Sequence, residues 1–258
     1  MVSRGTAAVR RVTVVKLGGS IISDKAVGRS FRDEVVATLG RALASSHEHV
    51  VLVHGGGAFG HPMAKKYGLS SSRAKRSARG VTETRSAMFD LNRRVCASLQ
   101  AAGLRPYTFS PYPLFTAAGR KGVAWLDDLL ESGLTPVTFG DVTHGAEGFR
   151  IISGDTIAKE LCRSLHASRC VFVMDVDGIM DRDGVMIEEL DSRRVKEISG
   201  SGSSDATGGI TLKVREAMRI ASAGTEVAFV SGFRAEEFAK ALKRKRFHGT
   251  ILRVPSRE

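Results

Sequence analysis

The chain is predicted to fold as an α/β protein, a three-layer αβα sandwich with a central, mostly parallel sheet. Two observations point there. Short, continuous apolar runs rich in β-branched residues alternate with longer stretches of helical periodicity, and most runs end in glycine or aspartate, as strands do where a turn feeds the next helix. Strands with unbroken apolar runs are buried on both faces, and that is the environment of a parallel sheet covered by helices.

Val12–Leu17 reads as the first buried strand and Gly18-Gly19-Ser20 ends it. From Phe31 to Ser46, apolar residues at Val35, Val36, Leu39, Ala42 and Leu43 mark a helix with one buried face. Val50–His54 is the next strand, followed at once by Gly55-Gly56-Gly57. Residues 82–102 form a long helix closed by Gly103. The runs 135–139 and 170–174 are strands, punctuated by Asp141 and Asp175, and segment 142–152 reads as an inserted hairpin. Helices over 154–166 and 210–223, a strand over 226–231 and a last helix over 234–246 complete the series. Residues 1–11 are read as a flexible basic extension and 12–258 as one domain; no repeat or Pro-rich linker interrupts them.

Composition narrows the classes. The 258 residues are 42% hydrophobic and 26% charged, proportions that support a packed core and exclude a disordered or collagen-like chain. No window reaches the roughly 18 consecutive apolar residues of a membrane span, so no membrane role is expected. The N-terminus lacks the apolar region of a secretory signal. Cys96, Cys162 and Cys170 form no C-x-x-C pair, which argues against a disulfide or zinc framework and for the cytoplasm. The net charge is +12, with clusters at Arg73-Ala-Lys75-Arg76, Arg193-Arg194 and Lys243–Arg246. Such a charge suits a polyanion or simply a solvated basic surface. Aromatics, at 6%, are not interleaved with the clusters, so a single-strand stacking platform is not expected.

The glycine clusters Gly18-Gly19, Gly55–Gly57 with Gly60, Ser153-Gly154-Asp155 and Gly208-Gly209 each precede a helix. Glycine lets backbone N–H groups approach an oxyanion, and a helix N-terminus adds partial positive charge; tight turns would use the same residue. Gly55–Gly60 formally matches G-x-G-x-x-G, yet the acidic residue a dinucleotide fold needs about 20 positions later is missing. A Walker A loop is absent too. Lys16, Lys25 and Lys213 lie close to these loops in sequence. Lys16 is the hardest to explain as surface, because an ammonium inside an apolar strand is costly without an anion. His61 follows Gly60 and precedes Pro62, where a helix is expected to begin; it suits either an oxyanion donor or a structural histidine. Asp155 and Asp175 suit organising lysines, metal or ribose. No metal-ligand motif and no nucleophile elbow is present.

Together, Val15-Lys16-Leu17-Gly18-Gly19-Ser20 with Lys25, Val53–Pro62, Gly140-Asp141, Arg150–Asp155, Asp175-Val-Asp177-Gly178-Ile179 and Asp205–Gly209 with Lys213 resemble the amino acid kinase superfamily. Within it, His61 after the glycine loop, His54 and Pro62–Tyr67 resemble the archaeal-type isopentenyl phosphate kinases. The resemblance implies phosphoryl transfer from ATP, with Mg2+, to isopentenyl phosphate, by a homodimer that binds no specific nucleic acid. It implies an acceptor-binding lobe over about 12–165 and a nucleotide-binding lobe over about 166–258. Lys16, Gly18, Gly19, Ser20, Gly56, Asp175, Gly208 and Lys213 would then serve ATP. Gly55, Gly60, His61 and Gly154 would hold the acceptor phosphate, Lys25 would stabilise charge in transfer, and Asp155 would orient lysines. The helix through Val81, Met88 and Leu91 would border the hydrocarbon tail. Thr156 stands where the family often has a second acidic residue.

Overall fold

The computed structural model describes residues 11–24, 26–46, 48–69, 77–116, 123–145, 148–191, 198 and 209–253. The chain runs through β1 (Val12–Leu17), α1 (Gly19–Ile22), β2 (Ser23–Asp24), β3 (Ser30–Phe31), α2 (Asp33–Ala44), β4 (His49–His54), α3 (Gly57–Lys66) and α4 (Ala78–Ala101). Next come β5 (Pro106–Thr108), a 3-10 turn (Tyr112–Phe115), α5 (Trp125–Glu131), β6 (Thr135–Phe139), β7 (Asp141–Gly145), β8 (Gly148–Ile152), α6 (Gly154–Leu165) and β9 (Arg169–Met174). The last elements are β10 (Glu189–Leu190), α7 (Gly209–Ser222), β11 (Glu226–Ser231), α8 (Ala235–Leu242) and β12 (Thr250–Leu252).

Eight strands form one sheet in the order β10-β12-β11-β9-β1-β4-β6-β5. Its pairings are parallel except for β11 with β12. Side chains alternate across the sheet, so each central strand feeds two cores. From β1 and β9, Val12, Val14, Cys170, Phe172 and Met174 pack with Ile157, Leu161, Val214 and Ala217 of α6 and α7. Val15, Leu17, Val171 and Val173 pack on the other face, with Leu39 of α2, Leu91 of α4 and Phe238 of α8. This is the three-layer arrangement expected. The hairpin is also present, as β7 paired with β8 outside the main sheet.

Three helix boundaries differ from expectation, the first being that of α4, which starts at Ala78 where 82 was expected. The helix placed after His61 starts earlier, at Gly57, so Pro62 lies inside it and leaves the Ala58 carbonyl without its helical donor. The helix expected over 234–246 stops at Leu242: Arg244 takes a left-handed conformation with φ 55° and bonds Glu226 Oε2 at 2.7 Å and Ser168 Oγ at 2.8 Å. The exposed basic run 243–246 therefore sits at the start of β9 and β11, about 17 Å of strand away from their carboxyl ends. Val81, Met88 and Leu91 are all buried, Met88 and Leu91 in the core on the α2–α4 face and Val81 in a small cluster with Ala64, Leu69 and Val142.

Candidate active site

In β1, alternation sends Lys16 to the same face as Val12 and Val14, toward α6 and α7. There its Nζ lies 2.7 Å from Oδ1 of Asp155, in the first turn of α6. Lys213, in the second turn of α7, reaches Oδ2 of the same carboxylate at 3.1 Å. The side chains are 7%, 16% and 18% exposed for Lys16, Asp155 and Lys213, so two ammoniums and one carboxylate share a nearly dry space. Burial alone would raise the Asp155 carboxyl, but the charges of Lys16 and then Lys213 outweigh it and hold the group well below the carboxylate range. Burial, followed by the Lys16 charge, brings the Lys213 ammonium down to about 8, with Asp155 pulling the other way. The cluster keeps one positive charge in excess. Asp155 is unfit as a general base at neutral pH; a site of this kind stabilises negative charge brought to it.

The glycine loops pack directly on one another. A Cβ on Gly19 would lie 2.4 Å from the Gly57 nitrogen, and one on Gly18 2.8 Å from the Val173 carbonyl. Gly57 has φ +46° and a Cβ there would meet Ser23 Oγ at 2.0 Å, so two backbones meet where no side chain fits. Ser23 ties them together: its hydroxyl donates to the Gly19 carbonyl at 2.8 Å and accepts from the Ala58 N–H at 2.8 Å. Gly18 and Gly55 spend their N–H groups on Val173 and Leu17 carbonyls. The N–H groups of Gly19, Gly56 and Gly154 have no acceptor among the described residues. Gly154 sits against the His54 carbonyl, with room for a Cβ only 3.3 Å from Lys16 Cε. α6 begins at Gly154 under the Ser153 cap, whose Oγ accepts from the Thr156 N–H.

His61 is exposed on α3 and lines a cleft of about 460 Å³ with Gly28, Arg29, Ala58, Pro62 and Lys65. Its ring carbon Cδ2 is 3.3 Å from where a Gly56 Cβ would lie, and Gly60 is backed by Met88. Asp175 is exposed just beyond β9, in a separate cleft of about 570 Å³ with Val176, Asp177, Met180, Ser231, Phe233 and Arg234. Ser20 lies at the start of α1 and its carbonyl accepts from Arg32. Thus Lys16, Gly18, Gly19, Ser20, Gly55, Gly56, Gly154, Asp155 and Lys213 gather at the carboxyl ends of β1, β4 and β9. His61 and Asp175 flank them. Lys25 and Gly208 lie outside the described residues.

Sequence reasoning missed Ser23, Arg32 and Arg85. Arg32 donates to Ser20 O and Asp24 Oδ2, each at 2.8 Å, and lies over the Phe233 ring. Arg85 holds the buried Asp141 carboxylate through two contacts of 3.0 Å. Their hydrogen-bond partners are up to 56 positions away, and no local pattern signals them. Among the described residues no group of three or more His, Cys, Asp or Glu side chains is placed to hold a metal ion, and no helix is long and apolar enough to cross a membrane.

Residues 11–231 match the amino acid kinase family. The chain is 33% identical over 224 residues to isopentenyl phosphate kinase of Methanocaldococcus jannaschii, covering 79% of this chain and 85% of that one. It is 34% identical over 221 residues to the Haloferax volcanii isopentenyl phosphate kinase, covering 81% and 88%. The product-complex structure of isopentenyl phosphate kinase from T. acidophilum superposes with a TM-score of 0.77 at 26% identity, over 94% of this chain and all of that one. Motifs, sheet order and relatives agree: the chain belongs to the amino acid kinase family and groups within it with the isopentenyl phosphate kinases.

Proposed function

We propose that this chain transfers the γ-phosphoryl group of ATP to isopentenyl phosphate, giving isopentenyl diphosphate and ADP. The observation that carries this reading is the Lys16–Asp155–Lys213 cluster, buried beside three glycine loops with unspent N–H donors. An oxygen of the acceptor phosphate attacks the γ-phosphorus while the bond to the β,γ-bridging oxygen breaks, and that oxygen leaves with ADP. A phosphate monoester is already largely anionic near neutral pH, so the enzyme needs no base. Its work is alignment and neutralisation.

Lys16 and Lys213 face the transferring group, and Asp155 holds the two ammoniums at a fixed spacing. Gly18, Gly19, Ser20 and Gly56 support the nucleotide phosphates, with Gly208 at the approach to α7 and Asp175 in the flanking cleft. His61 and Gly154 take the acceptor phosphate; Gly55 and Gly60, whose N–H groups are bonded to the Leu17 and Gly56 carbonyls, shape the loop around it, and Lys25 adds charge during transfer. Residues 12–165 form the acceptor half and 166–258 the nucleotide half. Mg2+, if bound, would supply charge screening for the phosphates beside Lys16 and Lys213; among the described residues no group of three or more His, Cys, Asp or Glu side chains is placed to hold it.

ADP release from Mg-ATP, followed across isopentenyl phosphate, dimethylallyl phosphate, fosfomycin, N-acetylglutamate and carbamate, tests the assignment. Turnover is expected with the two alkenyl phosphates. Turnover of another acceptor, with none above background for either alkenyl phosphate, would keep the fold and overturn the substrate.

A further inference from the structure

His54 ends β4 and directly precedes Gly55. Alternation carries its ring to the face of Val50 and Leu52, toward α4 and away from the face taken by Lys16. It is 1% exposed and stacks on Phe139 with ring centroids 5.4 Å apart. Nδ1 lies 3.0 Å from the Gly55 carbonyl oxygen, and Nε2 lies 3.2 Å from the side-chain amide of Asn92. That amide is 2.9 Å from Thr108 Oγ1 on β5. Burial pushes the imidazole down to about 4, so the ring is neutral at pH 7 and donates from one nitrogen only. A carbonyl only accepts, so Nδ1–H donates to Gly55. The structure sets Asn92 Oδ1 toward Nε2 and its NH2 toward Thr108 Oγ1; with Nδ1 protonated, the amide is reassigned end for end, its NH2 donating to Nε2 and its oxygen accepting from the Thr108 hydroxyl.

The consequence lies in the next peptide. The Gly55 carbonyl and the Gly56 N–H belong to one planar trans unit and point in opposite directions. Holding the carbonyl against the ring turns the Gly56 N–H outward, and that N–H has no acceptor among the described residues. Gly56 is also the glycine that the His61 ring approaches.

We infer that His54 is a positioning residue for acceptor binding: its ring sets the Gly55–Gly56 peptide so that the Gly56 N–H is presented beside His61. The inference rests on the acceptor-phosphate reading above and moves Gly56 from the nucleotide side, implied by the resemblance, to the acceptor side. Among the described residues no other group bonds the Gly55 carbonyl, and glycine on both sides leaves the peptide free to rotate without it.

The test compares three variants in steady-state kinetics with isopentenyl phosphate and Mg-ATP. His54→Phe keeps an aromatic ring for Phe139 and loses both nitrogens. His54→Asn places an amide nitrogen where Nδ1 stands, whereas His54→Gln reaches only the Nε2 position. The KM for isopentenyl phosphate is expected to rise about 10-fold in His54→Phe and His54→Gln, the size of one lost hydrogen bond. His54→Asn should recover most of that rise, and the KM for ATP should stay within about twofold in all three. Should His54→Phe fail to fold, the Asn and Gln variants decide, since both lose the ring and its stacking. Asn no better than Gln, or ATP and acceptor KM rising together, would overturn the inference while wild-type turnover upheld the reading beneath it. Absence of wild-type turnover would overturn that reading first.

Discussion

Lys213 sets a titration that activity should report. With its ammonium at about 8 before ligand binds, the charged form needed for phosphate contact is lost as pH rises past that value. kcat/KM for ATP, which reports the free enzyme, is therefore expected to fall above about pH 8, and Lys213→Arg should move that limb upward; an unchanged limb in the Arg variant would assign it elsewhere. Lys16→Ala and Lys213→Ala should each lower kcat by about 100- to 1000-fold, the scale of removing a donor aimed at developing charge. Asp155 acts in the opposite pH range. Its folded-state value lies below the unfolded one, so its stabilisation is complete above the unfolded value and is lost as pH falls toward the folded one. Asp155→Asn leaves two facing ammoniums without their anion and is expected to cost on the order of 3 kcal/mol in denaturant melts. His61→Ala should lower kcat/KM for the acceptor by about 10- to 100-fold, with ATP affinity little changed, through loss of a charge-assisted contact. Equal damage to ATP binding would make His61 structural. Of these residues, Lys16 was legible because a cation in an apolar strand demands an anion. The identity of that anion was not, since Asp155 lies 139 positions away and meets Lys16 only through the packing of α6 on β1.

At the scale of elements, the junction of α1, β2 and α3 carries the tightest constraints. Gly57→Ala would combine a left-handed backbone with a clash against Ser23 Oγ and the Gly19 carbonyl, at a cost on the order of 3 kcal/mol in urea unfolding. Ser23→Ala would strand the buried Ala58 N–H and cost about 1–3 kcal/mol; an unchanged midpoint would show that another group caps α3. The strands β1, β4, β6, β9 and β11 were readable because each is five or six residues of continuous apolar character. β2, β3, β10 and β12 have two or three residues, too few for any period, and are strands only because a neighbour supplies hydrogen bonds. The early start of α3 was hidden for a related reason. Glycines with a following proline read as a turn, and the helix is held from outside by Ser23.

Across the whole molecule the net charge is +12, and among the described residues the longest basic run does not lie at the Lys16 cluster. The exposed run 243–246 lies at the opposite end of the strands, and the clusters at 73–76 and 193–196 lie outside the described residues. Duplex DNA binding measured across a salt series is expected to be weak, without sequence preference, and gone near physiological salt. Tight, selective binding there would assign the charge a function of its own. The αβα architecture, the hairpin and the set of glycine loops beside Lys16 were all present in the linear pattern, because burial period, glycine placement and a lone strand lysine are local properties. The order of the strands, the antiparallel edge, the carboxylate between two lysines and the ring beneath Gly55 were decided by the tertiary structure alone. Each depends on which distant surfaces pack, and packing energy is shared among residues that sequence spacing leaves unrelated.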